Sequence, residues 1–370
     1  MHAKKSHMTL LLALLLVMLP VTRASAAYSS MYVFGDGVCA TNDPTAKTGP
    51  LYYEKRNCNG RVWVEVLWQW QGLAFDDAKN KSEFGHTSDE VVAETANLTW
   101  ADAATALFVI WCSNADLVEY SQTHPPSPHY SIEDDGPNWT TFINTSVSRH
   151  VQAVTNLYNK GARAVVMPKA ANIMAVPNYN DTASGDKTFV RDRVIQFNAA
   201  FETAMAALAA SKSGLAIYRP DTFTFFEQVL ANPGNYGLVN PYPLNAARWD
   251  LPNPNKQFGP GIDYVFWDDY HPTAAFQMHL AAFFQQMIFP PKVNSIALSG
   301  GDVHLQVANI PLGRAGFVQG SANLQPPWQQ DAAISEPFVV GGNTTETISF
   351  PASGPKRFYR VGFPVVWAWP

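Results

Sequence analysis

Hydrophobic residues follow two alternating patterns along this chain as far as residue 290. Short, continuous apolar runs, each typical of a strand buried on both faces, occur at residues 31–34, 107–111, 164–167 and 215–218. Between these runs, apolar residues recur at spacings of three and four, most clearly from Val190 to Leu208, and this period predicts amphipathic helices. Strands that alternate with helices indicate βαβ units. The pattern therefore predicts an α/β fold of three layers, α/β/α, with a central parallel sheet.

The same helical period predicts a helix from Val147 to Tyr158 that stops at Gly161, and a later helix from Ala274 to Ile288. The pattern changes after two prolines at residues 290–291. Residues 303–307 and 359–363 alternate apolar and polar positions, and turns rich in Gly or Pro separate such segments. We therefore expect a main domain at residues 28–290 and a small antiparallel β-rich accessory domain at residues 293–370, whose expected role is contact with a surface or a glycan.

The beginning of the chain has the order of a secretory signal peptide. Lys4 and Lys5 precede an apolar run at residues 10–20, and small residues follow at 24–27. A membrane anchor is the alternative, but the apolar run is short for a bilayer. We expect residues 1–27 to be removed and the mature protein to be secreted, periplasmic or on the cell surface, without a transmembrane segment.

Composition narrows the function classes further. The chain carries a net charge of −5 with 15% charged residues and no basic run, which argues against a nucleic-acid partner. Its three cysteines, Cys39, Cys58 and Cys112, lack metal-ligand spacing but permit one disulfide, for which Cys39–Cys58 is a possible pairing. No phosphate-binding, dinucleotide or zinc-protease motif is present, so no cofactor and no metal are expected.

A pair of residues near the end of the main domain is suited to base catalysis. Asp268 lies three residues before His271, and Pro272 keeps His271 out of helical geometry. On a tight loop, a carboxylate at this spacing reaches the Nδ1–H group of the imidazole and fixes its tautomer. Thr273 can cap the helix that follows. The pair therefore predicts a general base, His271, oriented by Asp268; a surface turn in which the two residues only cap each other is the alternative.

The chain also carries a series of short motifs in order. They are FGDG at 34–37, NGRVWVEVL at 59–67, LFVIWCSNAD at 107–116, GARAVVMP at 161–168, Asn-Pro with Tyr-Gly within 232–237, and WDDYHPT at 267–273. Together they resemble the blocks of the GDSL-type (SGNH) ester hydrolases, over residues 31–290. The resemblance implies the three-layer hydrolase fold and cleavage of acyl or acetyl esters in a small molecule, a lipid or a polysaccharide.

The resemblance also assigns roles to individual residues. His271 is the general base, Asp268 orients it, and Gly37 occupies the position of the nucleophilic serine. The oxyanion donors are Gly85 and the side chain of Asn114. Strict register places Ala115, one residue after Asn114, at the position of the family's asparagine.

Gly37 leaves several chemistries open, because glycine has no hydroxyl group to form an acyl-enzyme. Cys39, Thr41 and Ser113 are alternative nucleophiles nearby in sequence or on the next strand. A water molecule activated by the Asp268–His271 pair is another. The remaining hypothesis is a catalytically inactive binding protein for a lipid or a glycan, which would use Gly37 for close approach of the backbone to a ligand.

Overall fold

The computed structural model describes residues 28–45, 49–239, 247, 259–335, 345–352 and 358–365. The predicted signal segment at residues 1–27 and the Gly-Gly turn at 341–342 lie outside the described residues. Within the described ranges, no helix combines the length and the apolar character needed to cross a bilayer.

In the part of the chain that the structure describes, four parallel strands form the central sheet, and they lie side by side in the order in which they occur along the chain. The strands are β1 (Met31–Gly35), β2 (Leu107–Trp111), β3 (Ala164–Val166) and β4 (Ala216–Tyr218). Every residue of β2 is buried, as its continuous apolar run predicts. The register of β1 on β2 pairs Gly35 with Trp111, so both strands end at the same edge of the sheet.

Seven α-helices whose bounds lie within the described residues connect and cover these strands. They are α1 (Trp63–Trp70), α2 (Ser88–Asn97), α3 (Ser113–Thr123), α4 (Gly136–Asn159), α5 (Ser184–Ser211), α6 (Thr222–Ala231) and α7 (Ala274–Ile288). Short 3₁₀ turns lie at Asp77–Lys79, Ile173–Ala175, Pro177–Tyr179 and Pro233–Tyr236.

The sheet separates two hydrophobic cores. Val33, Val109 and Val166 point to one face, where they pack in one cluster with residues of α1, α6 and α7. The alternate positions, such as Phe34 and Phe108, point to the other face and pack with residues of α4 and α5. Successive strand residues point to opposite faces, so a strand buried on both faces requires helices on both sides. The predicted three-layer α/β fold is confirmed.

Two helices are longer than the apolar pattern predicts. Helix α5 begins at Ser184, before the predicted start at Val190. Its first turn is polar, and Phe189 is its first apolar residue to join the buried stripe. Helix α4 begins at Gly136 instead of Val147, and buried Trp139 and Ile143 extend its stripe at a spacing of four. The prediction from Ala274 to Ile288 agrees with α7 at both ends.

The described residues of the C-terminal region form two three-stranded antiparallel sheets, in the orders β5-β6-β9 and β10-β7-β8. The strands are β5 (Lys292–Ser299), β6 (Asp302–Ala308), β7 (Gly316–Ser321), β8 (Gln329–Ile334), β9 (Glu346–Pro351) and β10 (Phe358–Gly362). Alternate residues Val303, Leu305 and Val307 of β6 point into a small core of their own. The antiparallel character that the sequence predicts for this region is confirmed.

The C-terminal region contacts the hydrolase-like region at the end of α1. The Leu312 N–H group donates a hydrogen bond of 2.9 Å to the Trp70 carbonyl oxygen. The guanidinium of Arg314 lies 4.4 Å from the centroid of a Trp70 ring. Arg314 also donates a hydrogen bond to the carbonyl oxygen of Phe363. This buried arginine therefore contacts both α1, through Trp70, and the C-terminal region, through Phe363.

Candidate active site

The candidate site lies at the carboxyl edge of the parallel sheet. Strand β1 ends at Gly35 and continues into Asp36 and Gly37, while β2 ends at Trp111 and leads into α3. The two loops are neighbours because Gly35 pairs with Trp111. Ligands of open α/β sheets bind beyond the carboxyl ends of the strands, where such loops converge.

Asp268 and His271 form the pair that the sequence predicts. The Nδ1 atom of His271 lies 2.8 Å from Oδ1 of Asp268, and this oxygen also accepts backbone N–H bonds from Tyr270 and His271. The Tyr52 hydroxyl donates to Oδ2 of Asp268 at 3.0 Å. Because the carboxylate accepts, the proton of the neutral imidazole is on Nδ1 and the lone pair is on Nε2.

The environment of Asp268 keeps its carboxyl group ionised. Burial opposes ionisation, but the charge of His271 and the hydrogen bonds outweigh it and lower the Asp268 pKa to about 2. At the end of the same loop, the Thr273 side chain accepts a bond from Phe276 N–H and caps α7, as the sequence predicts. The loop is therefore held at both ends, and His271 is fixed in orientation.

Gly37 faces the other nitrogen of this imidazole. A Cβ atom built on Gly37 would lie 2.4 Å from Nε2 of His271 and 3.1 Å from Nδ2 of Asn57. Real Cβ atoms keep at least 3.0 Å from such neighbours. The imidazole therefore extends into space that any larger residue at position 37 would fill.

The predicted oxyanion residues border the same cavity. Gly85 has φ +80°, a left-handed conformation that suits glycine, and its loop is tied down by the bond of 2.7 Å from Phe84 N–H to Asp43 Oδ2. Asn114 also lines the cavity, but its Oδ1 accepts from Ala171 N–H at 2.9 Å and its amide hydrogen-bonds Asp36. The Asn114 amide is thus held by neighbouring groups of the protein.

One cavity of about 320 Å³ brings Gly37, Gly85, Asn114 and His271 together, and Asp268 lies behind the imidazole. This volume is at the lower end of the range for small-molecule sites. Most of the other lining residues are apolar, namely Val38, Phe84, Trp111, Ala115, Val118, Ala171, Ile173, Val176, Phe226 and Pro272. The geometry suits an acyl group whose carbonyl carbon lies next to His271.

The alternative nucleophiles do not border this cavity. Cys39, Thr41 and Ser113 are each at most 1% exposed, and none is among the lining residues. Burial raises the pKa of the Cys39 thiol well above its usual value, which removes the thiolate that nucleophilic attack requires. Ser113 begins α3 with its side chain buried, so it does not face the cavity either.

The possible disulfide between Cys39 and Cys58 is not formed. Both thiols are free and buried, as is that of Cys112. The Sγ atom of Cys58 donates instead to the carbonyl oxygen of Pro272 at 3.3 Å, next to His271. This contact directs the Cys58 thiol to the histidine loop.

Sequence reasoning missed a second layer of residues around Gly37. Asp43 accepts bonds from Asn57 Nδ2 and from Phe84 N–H, so it joins the residue beside Gly37 to the Gly85 loop. Burial raises the pKa of Asp36, which also lines the cavity, to about 6. Asp36 lies within the FGDG motif and Asn57 lies two residues before the NGRVWVEVL motif, whereas Asp43 belongs to neither motif.

The chain is similar to several curated plant proteins. One GDSL esterase/lipase of Arabidopsis thaliana is 25% identical over 216 residues, which make up 54% of this chain and 53% of the relative. GDSL esterase/lipase 7 of the same plant is 27% identical over 165 residues, or 41% of this chain and 43% of the relative. The chain spans about half or less of the length of these relatives. No protein-family model matches it. The predicted resemblance to GDSL-type ester hydrolases is confirmed by these relatives.

Two solved structures are similar at lower sequence identity. Axe2, an acetylxylan esterase from Geobacillus stearothermophilus, has a TM-score of 0.41 at 13% identity and covers 72% of this chain and 96% of its own. A phospholipase A1 from Streptomyces albidoflavus also has a TM-score of 0.41, at 14% identity, and covers 70% of this chain and 100% of its own. At TM-scores of this size, the similarity does not assign an activity to this chain.

Proposed function

We propose that this chain, which resembles the GDSL-type ester hydrolases, cleaves a carboxylic ester by means of its Asp268–His271 pair. The observation that carries the proposal is the contact of 2.8 Å between His271 Nδ1 and Asp268 Oδ1, beside a cavity that contains Gly37 and Gly85. An imidazole held in this way presents a basic nitrogen to a bound carbonyl group. No hydroxyl or thiol from the predicted alternatives takes part, because none borders the cavity.

The cavity lining supports an acyl group of a lipid or of a modified carbohydrate as the part of the substrate that is bound. Apolar side chains surround most of the space, so burial of the acyl chain stabilises the complex by about 25 cal/mol for each Å² of apolar surface removed from water. We further propose that the predicted signal segment exports the protein, so that its substrate is met outside the cytoplasm.

The test is hydrolysis of a panel of short and long acyl esters by the parent protein and by His271→Ala. We expect measurable turnover by the parent that His271→Ala reduces to the background rate. His304→Ala is the matched control, because His304 lies on β6 in the C-terminal region, and it should retain the parent rate. Equal rates for the parent and His271→Ala would refute the proposal.

A second candidate function, binding without turnover, is favoured by one observation. The imidazole of His271 extends towards Gly37 into the space of a missing side chain, and a cavity of this kind can hold a ligand without a serine to attack it. Under this function the parent binds acyl ligands, measured by isothermal titration calorimetry, and shows no turnover.

Gly37→Ser discriminates between the two functions. If the parent only binds, this variant is expected to gain His271-dependent hydrolysis that the parent lacks. The serine Cβ must displace the imidazole from its contact at 2.4 Å, so the gain will be partial. Gly37→Ala is the control, because it displaces the ring without supplying a hydroxyl group.

A further inference from the structure

We propose that Nε2 of His271 is itself the nucleophile, and that it carries the acyl group of the substrate as an acyl-imidazole. This inference rests on the proposed function, since it specifies the first bond that forms during ester cleavage. Histidine is among the side chains that form covalent intermediates in enzymes.

The position of the imidazole is the first argument. Nε2 lies 2.4 Å from the point where a Cβ atom on residue 37 would be, closer than any side chain there would allow. The ring therefore reaches the space from which a nucleophilic side chain at position 37 would act. Both Gly37 and His271 line the cavity, so a carbonyl carbon bound there meets this edge of the ring.

The electronic state of the ring is the second argument. Nδ1 lies 2.8 Å from Asp268, whose carboxyl group is ionised at neutral pH because its pKa is lowered to about 2. The neutral ring therefore keeps its proton on Nδ1 and its lone pair on Nε2. Attack through Nε2 makes the ring an acyl-imidazolium, and the adjacent carboxylate of Asp268 stabilises its positive charge.

The reaction balances without any further reactant except water. The Nε2 lone pair forms a bond to the carbonyl carbon, and the bond from this carbon to the alcohol oxygen breaks. The departing alkoxide takes a proton from water, and the hydroxide that remains adds to the acyl carbon. The carbon–Nε2 bond then breaks, which releases the carboxylic acid and restores the neutral imidazole. The net change is ester plus water to acid plus alcohol.

The substrate class follows from the protonation steps. In this sequence Nε2 forms a bond to carbon, so it cannot also give a proton to the leaving alcohol. Esters whose alcohol is already a good leaving group are therefore favoured. We expect aryl and other activated acyl esters to react much faster than alkyl esters with the same acyl chain.

The test uses p-nitrophenyl and phenyl esters with one acyl group, with acid quenching at short times. The expected result is a burst of alcohol and a peptide containing His271 that carries the acyl mass. His271→Ala is expected to lose both signals. His124→Ala controls for adventitious acylation of an exposed histidine and should retain both, since His124 lies at the end of α3 and does not line the cavity.

A matched variant tests the geometry. Gly37→Ala adds only the Cβ atom that meets Nε2 at 2.4 Å, so it moves the ring without removing its nitrogen. We expect the burst and the adduct to fall at least tenfold, while circular dichroism and thermal unfolding show an intact fold. If Gly37→Ala forms as much adduct as the parent, the position of Nε2 beside Gly37 does not matter for the reaction, and the inference is overturned.

If the adduct is too short-lived to isolate, added hydroxylamine, which reacts with acyl groups, distinguishes an acyl-imidazole from direct attack by water. If an acyl-imidazole forms and its formation is rate-limiting, hydroxylamine diverts acyl product to hydroxamate without changing the rate of alcohol release. If water attacks the ester directly, hydroxylamine raises the rate of alcohol release in proportion to hydroxamate formation. The second result, with turnover that depends on His271, overturns the inference but not the proposed function. Absence of turnover and of any adduct overturns both.

Discussion

Gly37 and His271 show how one absent side chain changes the chemistry that its neighbour can perform. In the ordinary arrangement of a hydrolytic triad, the imidazole acts on a hydroxyl group. Here the built Cβ position lies 2.4 Å from Nε2, so the ring takes up space that a hydroxyl-bearing residue would need. The same two residues are therefore the centre of both proposals, and the hydroxylamine experiment discriminates between them.

Asp268 provides a residue-scale prediction for the pH dependence of stability. Its carboxyl pKa is lowered to about 2 in the folded protein, against 3.8 as the ordinary value. A group with a lowered pKa stabilises the fold above its unfolded pKa and loses this contribution as the pH falls through its folded pKa. We expect the free energy of unfolding to fall between about pH 4 and pH 2, and to fall less steeply in Asp268→Asn.

Urea unfolding at a series of pH values measures this difference. The matched control is Asp269→Asn, which changes the adjacent carboxyl group but leaves the Asp268–His271 bond in place. A parent slope equal to that of Asp268→Asn over this pH window would contradict the assignment of the stabilising contact to Asp268.

At the scale of secondary-structure elements, helix α5 depends on a single buried stripe. Phe201 is 1% exposed and lies on that stripe, with its ring 5.7 Å from Phe197. Phe201→Ala is expected to lower the free energy of unfolding by about 3–5 kcal/mol, because it leaves a cavity between α5 and the sheet. Chemical denaturation of the parent and the variant checks this value.

Ile195 lies on the same helix but is 42% exposed, which makes it the control. Ile195→Ala should change stability by about 0.5 kcal/mol or less, since it is a surface position. Similar losses in the two variants would mean that the stripe does not carry the packing of α5.

The elements themselves could be predicted where burial leaves a simple pattern. Strand β2 and helix α7 begin and end where the apolar residues predict, because each is buried along its whole length or on a continuous face. The beginning of α5 could not be predicted, since the polar residues of its first turn do not reveal whether the backbone is helical. The beginning of α4 was missed although Trp139 and Ile143 continue its apolar stripe. Such ends are decided by local hydrogen bonds and packing more than by the apolar period.

At the scale of the whole molecule, Arg314 links the C-terminal region to α1. It is 7% exposed, it lies over a Trp70 ring, and burial lowers its pKa to about 10. We expect Arg314→Ala to lower the free energy of unfolding by about 2 kcal/mol, the upper range for a desolvated cation–π contact. Calorimetry should also show the C-terminal region unfolding earlier than in the parent.

Arg360 offers a comparison within the C-terminal region. Its guanidinium lies 4.5 Å from a Trp328 ring, but its hydrogen bonds to Gln319 are exposed. Arg360→Ala should therefore cost about 1 kcal/mol or less. If Arg314→Ala behaves like Arg360→Ala, then Arg314 does not couple the two regions.

The sequence by itself determined the fold class, the positions of the strands along the chain and the Asp268–His271 pair. These features depend on apolar periodicity and on residues three positions apart, which are local properties of the chain. The FGDG motif implied that residue 37 occupies the nucleophile position, but it did not imply the distance between Gly37 and the His271 ring.

Only the tertiary structure decided what surrounds Gly37. Residues 37 and 271 are far apart in sequence, and the distance of 2.4 Å between the built Cβ atom and Nε2 arises only when their loops meet at the sheet edge. The same folding buries Cys39 and Ser113 and places the Asn114 amide against its neighbours. The direction of a side chain and its exposure to the cavity depend on packing between distant segments. They could therefore not be predicted from a local sequence pattern.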